Sequence, residues 1–88
     1  MPSEVRVWAK RVFDFLWDNP DSTKVDIMKA TGLSEIEFRK ARGWLKGYKR
    51  LIVESWRQED EDHILKVYSI GDRRQSKDYW LRRFEEVT

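Results

Sequence analysis

The sequence predicts a small α+β fold, a single domain over residues 1–88. Three observations point there. Apolar residues recur at three- and four-residue spacing through three successive amino-terminal segments. Two runs rich in β-branched and aromatic residues follow. A last amphipathic segment closes the chain. The 88 residues suit one domain with one modest core. Hydrophobic residues make up 40% and charged residues 39%, a balance too apolar for a disordered chain and too charged for a membrane protein.

The first helix is expected over 2–18. Val5, Trp8, Ala9, Val12, Phe13 and Leu16 share one face, and most of the charged residues share the other. Asn19-Pro20-Asp21 ends it, because proline disfavours helix at the residue before it. A second helix is expected over 23–31, capped by Ser22 or Thr23, with Asp26 in its first turn. Val25, Ile27, Met28 and Ala30 are expected on its buried side, and Gly32 stands where a helix ends in a left-handed residue. The third helix is expected over 34–47. Ser34 and Glu37 have the S-x-x-E spacing of a capping box. Phe38, Ala41, Leu45 and Tyr48 fall on one face. Arg39, Lys40, Gly43 and Lys46 fall on the other with Ile36 beside them, and Arg42 lies at the border.

Leu51–Arg57 and His63–Ile70 read as the strands of a hairpin spanning 51–70, joined by the polar stretch Gln58–Asp62. The stretch lacks the Asn-Gly or Asp-Gly of a two-residue turn. A last helix is expected over 76–86, capped by Ser76, with Tyr79, Trp80, Arg83, Phe84 and Val87 on its amphipathic face. Of the five tryptophans, Trp8 is expected in the core. Trp17 and Trp44 are expected at the edges of apolar faces, and Trp56 and Trp80 in the core or at an interface.

Several chemistries are excluded by residue type. There is no cysteine, hence no disulfide and no thiolate-held zinc. His63 is the only histidine, which cannot build a histidine metal site by itself; no metal and no cofactor is expected. The motifs G-x-x-x-x-G-K-S/T, G-x-S-x-G and H-E-x-x-H are missing, and no enzyme activity is expected. No apolar run approaches the ~20 residues that span a bilayer, so no membrane partner is expected. The first residues lack a basic and apolar leader, so the chain is expected in the cytoplasm. The net charge is only +2, yet basic residues crowd Arg39–Arg50 and Arg73–Arg83 while acidic ones crowd Glu59–Asp62. Charge segregated in this way points to separate surfaces with separate tasks.

The stretch from Thr23 to Ile52 carries a resemblance. Ala30-Thr31-Gly32-Leu33-Ser34 has the form A-x-G-L-S, with Phe38 four positions after the serine, Leu45 seven further on, and Arg50-Leu51-Ile52 leading into the hairpin without a glycine directly before the leucine. This resembles the helix-turn-helix of winged-helix transcription regulators, over roughly Val5 to Ile70. The resemblance implies double-stranded DNA as partner, with the third helix in the major groove. Arg39 is then placed to read a base edge and Lys40, Lys46, Lys49 and Arg50 to hold phosphates, with Arg42 beside them. Thr23, Lys24 and Ser34 are placed at helix starts near the backbone. The family implies a small repressor, another transcriptional regulator or a recombination accessory factor. Wings in this family commonly carry arginine or lysine, whereas this tip is Glu59-Asp60-Glu61-Asp62, which phosphates would repel. The tip therefore reads either as a solvated loop or as a contact for a basic protein surface, such as Arg73, Arg74, Arg82 or Arg83 of a second copy. Tyr79, Trp80 and Phe84 are candidates for a protein interface. Many winged-helix regulators dimerise through added terminal helices, so homodimer and monomer both stay open. A protein-interaction module is the alternative to a DNA-binding regulator.

Overall fold

A computed structural model describes residues 3–47 and 51–86. The described residues form an α+β fold in the order α1 (Ser3–Asp18), β1 (Ser22–Thr23), α2 (Lys24–Thr31), α3 (Glu35–Gly47), β2 (Ile52–Asp60), β3 (His63–Ile70) and α4 (Lys77–Glu86). The strands make one antiparallel sheet in the order β1-β3-β2.

α1 buries Val5, Ala9, Val12, Phe13 and Leu16, the stripe its spacing predicts. Trp8, expected in the core, is only half-buried and packs against the core from its edge. At the end of α1 the amide of Asn19 bonds Leu16 O at 3.3 Å, and its side chain donates to Phe15 O at 2.9 Å. Asp21 then adopts φ 59°, a left-handed conformation that a short polar side chain tolerates. Ser69 Oγ accepts from the Asp21 amide at 2.9 Å and donates to its carboxylate at 3.0 Å. This turn lays Ser22 and Thr23 beside Tyr68 and Val67 as a third strand, which the sequence reading lacks.

Thr23 then caps α2. Its hydroxyl accepts from the Asp26 amide at 3.2 Å while Asp26 accepts from the Thr23 amide at 3.3 Å. Gly32 closes the helix at φ 75°, and its N–H bonds Met28 O. Only Ile27 of α2 is fully buried, and Met28 is half-buried. Val25 and Ala30, expected inside, are exposed. A helix of two turns offers the core a single narrow stripe, and Val25 lies about 160° from Ile27 around the axis.

Ser34 and Glu37 cap α3 reciprocally, at 2.8 and 3.2 Å. Phe38, Ala41 and Leu45 bury its inner face, and Phe38 meets Tyr68 of β3 edge-on at 5.4 Å. Tyr48, expected on the same face, lies outside the described residues. The hairpin spans 52–70, close to the expected 51–70, but its first strand is longer and its turn shorter than expected. Gln58–Asp60 continue β2 through an irregularity in register, and only Glu61 and Asp62 form the turn. Asp60 serves where Asn-Gly is missing, accepting from the Asp62 amide at 2.9 Å and lying 2.8 Å from His63 Nδ1.

The hairpin's base is core and its far half is not. Ile52, Val67, Tyr68 and Ile70 are buried, whereas Trp56 is 67% exposed and Ile64 61%. Trp56 thus lies outside the core, with the Lys66 ammonium 5.7 Å from its ring. α4, capped by Ser76 Oγ on the Tyr79 amide at 3.1 Å, lays Trp80 and Phe84 on the core, with Phe84 5.2 Å from Phe13 and 5.3 Å from Trp44. Lys77 ties the helix to Asp14 at 2.6 Å and Asp18 at 3.2 Å. Val87 lies outside the described residues. No helix among the described residues is long and apolar enough to cross a membrane.

Candidate nucleic-acid interface

α3 brings the main candidates together because its inner face is fixed. With Phe38, Ala41 and Leu45 buried, helical spacing turns Arg39, Lys40, Gly43 and Lys46 to solvent. Ile36 lies beside them, 64% exposed. A Cβ added at Gly43 would meet nothing within 4 Å among the described residues beyond its own stretch of helix, so the middle of this face is open to a close approach. Lys40 has no ion-pair partner among the described residues. Arg42 sits at the border as expected, half-buried.

Two carboxylates are interleaved with these cations, and sequence reasoning missed both. Glu35 lies 3.0 Å from Lys24 Nζ and 3.6 Å from Arg39. Glu54 of β2 is met by three cations. Its Oε1 faces Arg42 at 3.3 Å and Lys46 at 3.8 Å, and its Oε2 faces Lys66 at 3.2 Å. The bond from Lys24 holds the Glu35 carboxyl below its ordinary value. At Glu54 partial burial pushes the other way, but the bond from Lys66 and the charges of Lys66, Lys46 and Arg42 outweigh it, so this carboxyl also lies low. The Glu35–Arg39 pair was visible as an i,i+4 spacing. The Glu54 cluster depends on which helix crosses β2, which spacing alone does not encode.

Lys24, Glu35, Phe38, Arg39, Arg42, Lys66 and Tyr68 line an open cleft of about 360 Å³ between the start of α2, α3 and the sheet. Thr23 and Ser34 stand at helix starts, with hydroxyls already accepting capping amides. Each keeps its hydroxyl proton to donate. Lys49 and Arg50 lie outside the described residues.

The acidic tip is partly neutralised within the hairpin. Glu59 pairs with Arg57 at 2.7 Å, and Asp60 with His63, whose bond lowers the Asp60 carboxyl. Glu61 and Asp62 are exposed. The basic segment suggested as its counterpart in a second copy is largely engaged at home. Arg73 stacks 4.6 Å from the Trp17 ring and donates to Trp17 O at 2.9 Å, Arg74 pairs with Asp72, and Arg83 lies over Tyr79. Arg82 is exposed. Trp80, expected in the core or at an interface, and Phe84, a candidate for a protein interface, are each 2% exposed and belong to the chain's own core, because α4 turns that face onto α1. Tyr79 is half-buried, its ring edge-on to Trp80 at 5.1 Å. Among the described residues no group of three or more histidines, aspartates or glutamates is arranged to hold a metal ion. The chain matches no known family model, no curated protein and no solved structure.

Proposed function

We propose that this chain is a winged helix-turn-helix domain that binds double-stranded DNA in the cytoplasm. Its task is that of a small transcriptional regulator or a recombination accessory factor, not an enzyme. The observation that carries the reading is the outer face of α3. Arg39, Lys40 and Lys46 stand exposed around Gly43 on a helix whose opposite face is locked into the core. A rigid cationic rod with an unobstructed centre suits the major groove. In that pose Arg39 reaches a base edge, Lys40 and Lys46 reach phosphates, and Lys24 with the capped start of α2 meets the neighbouring backbone.

The test is the affinity for a fluorescent random-sequence duplex across a salt series. Binding should weaken by about 0.9 log units per neutralised phosphate for each tenfold rise in salt. Replacing Arg39 and Lys46 together by alanine should flatten that slope by about 0.9, for the phosphate lost with Lys46, and weaken binding further through the lost base contact of Arg39. A native chain with no duplex affinity even at low salt refutes the reading.

One observation favours a second reading, a protein-interaction module. The far half of the hairpin exposes Trp56, Ile64 and Leu65 beside the acidic tip. Exposed apolar residues rimmed by polar and charged groups suit a protein partner. A module of this kind would show no salt-sensitive affinity for duplex.

A further inference from the structure

The geometry points to Glu54 and Glu35 as built-in competitors for phosphate, which hold the cations of the proposed DNA face in place and keep affinity for arbitrary DNA low. This rests on the DNA-binding reading and concerns its regulation.

The stereochemistry is the first ground. A carboxylate offers charged oxygens to lysine and arginine much as a phosphate does. Glu54 uses both of its oxygens, Oε1 toward Arg42 and Lys46 and Oε2 toward Lys66. Glu35 takes Lys24 and Arg39 on one oxygen. Five of the cations on this side of the molecule therefore already have an anion within 4 Å in the free chain.

Location is the second ground. Glu35 lines the cleft between the start of α2, α3 and the sheet. Glu54 lies on the strand beside α3, its side chain 22% exposed, with Lys46 of the outer face reaching back to it. Duplex phosphates must take Lys24 from Glu35 and Lys46 from Glu54, and a base edge must draw Arg39 from the longer contact with Glu35. They also meet the charge of both carboxylates. Each phosphate contact then yields less net binding than a free cation would give. Lys40, which has no such partner among the described residues, has no bound carboxylate to give up, and base-edge contacts carry a larger share of tight binding. Glu35 and Glu54 thus raise the ratio of specific to non-specific affinity.

The test compares Glu54→Gln, Glu35→Gln and a control, Glu85→Gln, by fluorescence anisotropy with the same random-sequence duplex over a salt series. Glu85 pairs with Lys10 on the far side, between α4 and α1, and its neutralisation changes net charge equally. Glu54→Gln is expected to tighten binding about three- to tenfold over Glu85→Gln and to steepen the salt slope by up to about 0.9 for each phosphate newly held. Glu35→Gln is expected to do the same more weakly. Thermal melting by circular dichroism verifies the fold of each variant. The exposed Glu35 site supplies the test should Glu54→Gln unfold. If the native chain binds and both variants match Glu85→Gln, the competitor role is overturned while the DNA reading stands. If the native chain binds and Glu54→Gln binds more tightly than Glu85→Gln, the role is upheld. If only the variants bind at low salt, the DNA reading of the native chain falls and the role falls with it. If none of the four proteins binds, both readings fall.

Discussion

Leu45→Ala tests how α3 is held. Leu45 has no solvent exposure and lies in the core among residues of α1, α3, β2 and α4. Truncation to alanine removes about three apolar carbons from a fully buried site, a transfer loss of about 2.4 kcal/mol. The surrounding core, packed by Phe13, Leu16 and Trp80, relaxes only in part, and the residual cavity brings the total to about 3–4 kcal/mol. In a domain of this size each kcal/mol shifts the melting temperature by roughly 4–8 °C, so a fall of about 12–32 °C is expected. Urea unfolding followed by tryptophan fluorescence measures the loss, with an unchanged slope showing that the unfolded state is the same. A loss below about 1 kcal/mol would refute the claim that Leu45 locks α3 and so fixes which residues face outward.

Thr23→Ala removes the hydroxyl that accepts the Asp26 amide and should destabilise the chain by about 1 kcal/mol, read from the urea midpoint. Trp56→Ser should leave stability within about 0.5 kcal/mol despite the loss of a large aromatic, because the ring is 67% exposed; a drop in melting temperature of many degrees would mean that it packs in the monomer. Glu54 binds its proton less readily in the folded chain than its ordinary value of 4.5. Its stabilising contribution is therefore complete above about that pH and is lost as the pH falls through the lower folded value. The difference in urea midpoint between native chain and Glu54→Gln should shrink on acidification from neutral pH to below this range, and a difference independent of pH would contradict the cation cluster.

Most helices were legible because their signals are local. Capping by Ser34 and Glu37, termination at Gly32 and the buried stripe of α1 are each written within a few neighbouring residues. The outer face of α3 followed from the same periodicity. What stayed hidden depends on tertiary neighbours. β1 is two residues long and exists because Asp21 bonds Ser69, 48 positions away. Trp80 and Phe84 read as interface candidates because an amphipathic helix does not say whether its own chain or another covers it. Glu54 carries no signal of its own within the strand-like run Leu51–Arg57, and only the fold sets it beside Arg42 and Lys46. The hairpin turn was misread in length because the bond between Asp60 and His63 substitutes for glycine chemistry.

The central claim is that α3 meets the duplex. Amide chemical shifts of isotope-labelled chain, followed as duplex is added at low salt, test it residue by residue. The largest changes are expected at Arg39, Lys40, Gly43 and Lys46, smaller ones at Thr23 and Lys24, and none beyond noise along α4. Changes confined to Glu59–Asp62 and the exposed hairpin residues, or no changes at all, would contradict it.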